Sequence, residues 1–174
     1  MLLMPEFVVL VDAKDNEVGL MEKIEAHRNG GTLHRAFSVF VFNKKGEMLL
    51  QQRAKTKYHF PALWSNTCCS HPRKGETVLG AAHRRLMEEC GFDTRLKELT
   101  SFVYQADSGG ELSEHELDHV LIGKYDGPLT PNPEEIDGMK WVNVTALRAD
   151  VDRSPRLYTP WFKMILNKVL DSME

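Results

Sequence analysis

A chain of 174 residues, 42% hydrophobic and 27% charged, has ordinary globular composition; it is long enough to bury roughly two-thirds of its unfolded surface and short enough to read as one domain, 1–174. A net charge of -3 excludes the basic excess of nucleic-acid binders, so an anionic substrate would need a local cationic pocket. Three cysteines, two of them adjacent, make no disulfide framework, and the apolar start Met1–Asp12 has no basic lead and is broken by Pro5 and Glu6; the expectation is a soluble cytoplasmic protein with reduced thiols, no signal peptide and no membrane span.

Phe7–Val11 reads as a strand, followed by a turn at Asp12–Asn16. Leu20–Ala26 reads as a short helix ending before His27 and the Asn29-Gly30-Gly31 break, and His34 stands beyond it. Neither histidine shows a tight ligand spacing, so from the residues alone both read as solvated or locally satisfied. Arg35–Phe42 is apolar on both faces, the pattern of a central strand, and Asn43–Gly46 predicts a hairpin into Met48–Arg53. Arg53, Lys55 and Lys57 then form a basic edge, which is either solvated or placed for a ligand. Tyr58–Trp64 is an aromatic loop with Pro61, in which Trp64 reads as packing.

Asn66–Gly91 is the densest stretch. It sets Cys69 two residues before His71, then runs through a Pro/Gly turn into a helix predicted for Val78–Cys90, with Thr77 as N-cap and Gly91 just past its end. Val78, Ala82, Leu86 and Cys90 make its buried stripe, while Arg84/Glu88 and Arg85/Glu89 pair at i, i+4. Leu96–Tyr104 reads as a further strand. In the next one, alternation places Glu114, Glu116 and Asp118 on one face with Val120 and Ile122. Carboxylates that merge into an apolar face are costly to bury unpaired, and a bound cation is the economical explanation. Met139–Val142 reads as a short strand, Thr145–Asp150 as a helical turn, and Thr159-Pro160 as the start of a terminal helix with Trp161 as core anchor.

Strands around one carboxylate-ended helix imply an α/β fold, an α/β/α sandwich with a mixed central sheet. The helix resembles a degenerate Nudix box. Glu76, Arg84, Glu88, Glu89 and Gly91 fall on its pattern, whereas Ser70 stands at its first glycine and Arg85 at the glutamate after the arginine. The wider motif set is Glu22–His27, Leu33–Ser38, Trp64–Pro72, Glu114–Glu116 and Thr159–Trp161; it resembles the type I isopentenyl-diphosphate isomerases, which are built on the Nudix fold.

That resemblance implies Cys69 and Glu116 as the proton-transfer pair, with Tyr104 hydrogen-bonded to the glutamate and Trp161 facing a carbocation. It implies His27, His34, His71, Glu114 and Glu116 as ligands of a Mn2+, Zn2+ or Mg2+ ion, and Glu89 as a holder of Mg2+ on the substrate diphosphate. Lys23, Arg53, Lys57 and Arg85 are its diphosphate-binding cations. The expected partner is a small isoprenoid diphosphate, with no nucleic acid and no membrane, and the chain is expected to be a monomer or weak dimer. The alternatives are a Nudix-type metal-dependent diphosphate hydrolase, and a zinc-stabilised binding module built on Cys68, Cys69, His71 and Cys90.

Overall fold

The computed structural model describes residues 5–173. The start Met1–Met4, part of the stretch read above as too interrupted for a signal peptide, lies outside them. In chain order the strands are β1 (Phe7–Val11), β2 (Glu17–Glu22), β3 (His34–Phe42), β4 (Met48–Arg53), β5 (Trp64–Ser65), β6 (Cys68–Ser70), β7 (Leu96–Asp107), β8 (Ser113–Lys124) and β9 (Ile136–Val142). The helices are α1 (Lys23–His27), α2 (Val78–Arg85), α3 (Val144–Arg153) and α4 (Pro160–Asp171). Among the described residues, no helix is long and apolar enough to cross a membrane.

All nine strands join one mixed sheet organised around β3. On one side β3 pairs in parallel with β8 along its whole length, from His34↔Glu116 to Phe42↔Lys124. On the other side it meets β1 at Leu10↔His34, then β6 from Phe37↔Ser70 to Val39↔Cys68, then β4 at Phe42↔Met48. A strand with neighbours on both edges and layers on both faces must be apolar throughout, which is the pattern that Arg35–Phe42 carries. Phe37, Val39 and Val41 pack with Ala81, Ala82, Leu86 and Cys90 of the first helical layer. Phe40 and Phe42 pack with Leu147 and Val151 of α3 and with Phe162, Ile165, Leu166 and Val169 of α4. The α/β/α layering expected from the sequence is therefore present.

Two expectations change. Leu20–Glu22 belongs to β2, not to a helix, because antiparallel pairing with β1 (Val9↔Leu20, Phe7↔Glu22) overrides the local helical spacing, and α1 begins only at Lys23. The β3–β4 hairpin is a single residue pair long, since β6 takes the edge of β3 while β4 turns away to β9.

Thr77 caps α2 by accepting from the backbone N–H of Gly80 at 3.0 Å, and the helix widens into a π turn over Leu86–Cys90 before Gly91 ends it at φ 74. The connection between β8 and β9 packs on that end: the Thr130 and Asn132 N–H groups donate to the Cys90 and Glu89 carbonyls at 3.2 and 2.8 Å. A Cβ at Gly91 would collide with the Thr130 carbonyl and side chain, and the left-handed backbone alone costs a non-glycine residue of order 1–3 kcal/mol. Gly91→Ala is therefore expected to lower the unfolding free energy by at least ~2 kcal/mol in urea titration. An unchanged midpoint would show that the loop yields at no cost.

Candidate active site and metal centre

The same pairing that builds the sheet assembles the site. β3 lies between β6 and β8, and its registers set Cys69 opposite Ser38 and Glu116 beside His34. Residues directly paired across strands share a face, so the thiol and the carboxylate stand on the same face, on opposite sides of β3. On the far side of β8, Tyr104 pairs with Glu116, and its hydroxyl donates to Glu116 Oε2 at 2.6 Å. One pocket is lined by Cys69, Tyr104, Glu114, Glu116 and Trp161, and by Lys23, Arg53, Lys57, Arg85 and Glu89. Every residue nominated from the sequence is thus near this cleft, apart from the fully buried His27 and His34, which lie behind Glu114 and Glu116.

Those two histidines are oriented from behind. His27 Nδ1 lies 2.6 Å from the Lys23 carbonyl and His34 Nδ1 lies 2.7 Å from that of Thr32. A carbonyl only accepts, so each Nδ1 carries the proton and each Nε2 presents a lone pair inward. His27 Nε2 lies 3.0 Å from Glu114 Oε2; His71 and His34 Nε2 lie 2.8 and 3.4 Å from Glu116 Oε1. The ligand atoms of His27, His34, His71 and Glu116 all fall within 4.8 Å of one another. His27 Nε2, His34 Nε2 and Glu114 Oε2 are buried with no hydrogen-bond partner. Orphaned buried lone pairs converging with two carboxylates are costly as they stand and are the donor set of a divalent metal. The residues fit such an ion.

The electrostatics agree. Burial pushes the Glu116 carboxyl up, but the His34 and His71 imidazoles beside it hold it well below the usual carboxylate range. Glu114 is opposed by burial and by the neighbouring Glu116, and is held down by His27 and His59. Burial lowers His71 to about 4, so it is the neutral, ligating form at physiological pH.

Cys69 is half-buried, and Arg53 reaches its sulfur at 3.9 Å. Burial pushes the thiol up to about 12, with Arg53 pulling the other way, so it is a proton donor and not a standing thiolate. Above it lies Trp161, which is 3% exposed; its indole N–H donates to Asn66 at 3.2 Å and its ring carries the Arg53 guanidinium 5.4 Å from the centroid. The zinc-module alternative fails on geometry. Cys68 packs with Cys90 in the core under α2, whereas Cys69 faces the other side of the sheet and His71 turns to Glu116. Neighbouring residues on a strand point to opposite faces and cannot share an ion.

At the mouth each nominated cation holds a carboxylate. Lys23 Nζ pairs with Glu6 at 2.9 Å and Lys57 pairs with Glu135. Arg85 contacts Glu88 at 2.8 Å, Glu135 at 3.1 Å, and the buried Glu89. Arg53 stands deeper, donating to the His59 and Phe60 carbonyls. Within the box helix, Arg84 clasps Glu76 through two hydrogen bonds of 2.7 and 2.8 Å, which ties the turn to the helix. The sequence reading missed Glu6, Glu135 and His59. The first two meet their partners from 17 and 78 residues away and left no local signal. His59 sits in the aromatic loop, of which only Trp64 carried a reading.

A NUDIX domain model matches residues 32–162. Isopentenyl-diphosphate Delta-isomerase 2 of Photorhabdus laumondii is 52% identical over 94% of this chain and 92% of its own length. Isopentenyl-diphosphate Delta-isomerases of Halorhodospira halophila and Serratia proteamaculans are 52% and 47% identical, each over 94% of this chain and over 94% and 90% of their own. Among solved structures, a Deinococcus radiodurans protein superposes with a TM-score of 0.70 at 24% identity, covering 86% of this chain and 90% of its own. A MutT protein of Methanosarcina mazei gives 0.66 at 14% identity over 81% of this chain and 94% of its own. At these identities the structural likeness speaks for the fold alone.

A thiol held up at about 12 is protonated at every pH below that value, and its thiolate fraction grows tenfold per pH unit with no plateau until then. Alkylation of Cys69 by iodoacetamide, followed by peptide mass spectrometry, is expected to keep rising with pH above about 8.5, where an ordinary thiol levels off. Levelling at the ordinary value would show that the thiol is not desolvated.

Proposed function

The chain belongs to the isopentenyl-diphosphate Delta-isomerases of the Nudix family, and on that premise we propose that it interconverts isopentenyl and dimethylallyl diphosphate with Cys69 and Glu116 as its proton-transfer pair. The observation that carries the assignment of roles is the delivery of a protonated thiol and a hydrogen-bonded carboxylate to one pocket from the two strands flanking β3.

Moving the double bond requires a proton to be added at one carbon and another to be removed two carbons away, through a tertiary carbocation. An unactivated alkene is a weak base, so the donor must be close and the pocket must exclude water. Cys69 supplies a neutral acid, and Glu116 stands across β3 as the second group. The two exchange protonation states in each turnover, so overall the protein neither gains nor loses a proton. The Tyr104 hydroxyl fixes one oxygen of Glu116, leaving the other to the imidazoles. The Trp161 face can stabilise a desolvated cation by about 2 kcal/mol.

His27, His34, His71, Glu114 and Glu116 would hold a divalent ion, Mn2+, Zn2+ or Mg2+, which when bound neutralises two buried carboxylates and fixes Glu116. Glu89 is the group we assign to Mg2+ carried on the substrate diphosphate. Lys23, Lys57, Arg85 and, deeper, Arg53 bind the diphosphate, so affinity from the non-reacting end positions the alkene. The hydrolase reading is weaker: Arg85, where the hydrolase pattern has a glutamate, engages both Glu88 and Glu89 and neutralises the helix carboxylates.

The test is NMR of the protein with isopentenyl diphosphate and Mg2+ in D2O, following carbon-bound protons and phosphorus. Dimethylallyl diphosphate carrying deuterium, with an intact diphosphate, is expected; release of phosphate or pyrophosphate would favour the hydrolase. Cys69→Ala and Glu116→Gln are each expected to lower kcat by ~10²–10⁴-fold. Turnover near wild type in either variant removes that residue from the pair. Arg85→Ala should chiefly raise KM, since its contact is made in ground state and transition state alike.

A further inference from the structure

We infer that His59 is a fourth imidazole ligand of the metal centre, completing a six-donor set with His27, His34, His71, Glu114 and Glu116. The inference rests on the metal reading proposed above. His59 lies in the loop between β4 and β5, and the loop is built to aim it. Phe60 and Ala62 hold left-handed backbone at φ 47 and 60, uncommon for a bulky side chain and sustained only by surrounding contacts. Arg53 supplies those contacts, donating to the His59 carbonyl at 3.2 Å and to that of Phe60 at 3.1 Å, while the Ala62 N–H returns to the Arg53 carbonyl at 3.1 Å.

The imidazole so placed is only 9% exposed and stacks on Tyr58, with ring centroids 4.5 Å apart. Its Nε2 meets Glu114 Oε1, on the carboxylate whose other oxygen faces His27. The donor atoms of His27, His59 and Glu114 lie within 4.8 Å of one another, and His27 also belongs to the His34, His71 and Glu116 group. Because His27 Nδ1 is committed to the Lys23 carbonyl, its Nε2 can serve only one ion. Both groups therefore converge on a single ion. Ligands about 2.0–2.2 Å from a metal can themselves be a little over 4 Å apart, close to the limit of the spread within each group, so six donors on one ion require the two groups to close toward the shared His27 Nε2.

His59 changes what that centre can be. Three imidazoles and two carboxylates leave a sixth position for water, whereas four imidazoles and two carboxylates close the shell. Four nitrogens also move preference from Mg2+ toward Zn2+ and other later divalent ions.

The experiment uses the full chain stripped by chelator and titrated with Zn2+ against a chromophoric competitor and with Co2+ by visible absorption, for wild type, His59→Asn, His59→Gln and His71→Ala. Wild type is expected to bind one ion, and both His59 variants to bind one ion with affinity reduced about 10–100-fold and an altered Co2+ band. Equal affinity and an unchanged band in both variants would overturn the inference. Weaker affinity with an unchanged band would also overturn it, making His59 a positioning residue for Glu114. If wild type itself binds no ion, the metal reading falls and this inference with it. A variant-independent check is the imidazole nitrogen NMR spectrum of the wild type on adding Zn2+. His59 Nε2 should move with those of His27, His34 and His71; a stationary His59 Nε2 refutes the assignment even if the variants fail to fold.

Discussion

The structure depends on how β8 buries carboxylates. Glu114, Glu116 and Asp118 lie on one face of a strand whose neighbours cover it, and all three are at most 7% exposed. An unpaired buried carboxylate is among the most expensive groups a core can hold, and three in alternation would destroy the strand without specific compensation. Each is handled differently. Glu114 and Glu116 meet imidazoles, which keep them ionised. Asp118 receives only the Ser38 hydroxyl at 2.7 Å, and burial with the nearby Glu116 charge raises its pKa well above the ordinary value. The parallel β3–β8 register is what matches these partners. A slip of one residue would turn every carboxylate to the opposite face and leave His34 facing Leu117 or His115 in place of Glu116.

Around that buried core the pocket separates two electrostatic tasks. Its inner end is buried: a protonated thiol, a tyrosine and an indole surround the ionised Glu116, with the ionised Glu114 beside it. Its mouth gathers Lys23, Lys57 and Arg85, each held by a carboxylate that orders it. Glu135 joins Lys57 to Arg85, so two cations from distant elements face one point. A diphosphate arriving there would exchange protein carboxylates for its own charge, and pre-ordered side chains would lose little further entropy in binding it. The mouth can then hold the charged end firmly while the reacting end stays free of the countercharges and water that would quench a carbocation.

What the sequence disclosed follows the range of the forces involved. Local patterns worked where one element carries its own signal: the apolar run of β3, the Thr77 cap and Gly91 stop of the box helix, and the alternation that put Glu114 and Glu116 inward. The β3–β4 hairpin forms at its turn signal but extends no further than one pair, because the turn signal is local whereas the choice of sheet neighbour is decided by β6 and β9. His27 and His34 were not readable as ligands from spacing, since one ends α1 and the other opens β3; the family resemblance supplied them, and the sheet brings them together. His59 escaped notice because a lone histidine in an aromatic loop carries no ligand spacing, and only the left-handed backbone at Phe60 and Ala62 aims the ring at Glu114.

The fold is shared with diphosphate hydrolases, yet this chain reassigns its parts. In the Nudix pattern the helix provides the carboxylates. Here that helix spends them on guanidinium groups: Glu76 on Arg84, Glu89 on Arg85, and Glu88 on both. The groups proposed to move protons come instead from the sheet, Cys69 on β6 and Glu116 on β8, with β3 fixing the distance between them. Sheet positions suit this task. Proton transfer to carbon tolerates little positional error, and paired strands hold side chains more rigidly than a helix end does. Arginine at position 85, where the hydrolase pattern has a glutamate, ties up Glu88 and Glu89, and on the function proposed above it would turn the helix into a platform for a diphosphate that must leave intact.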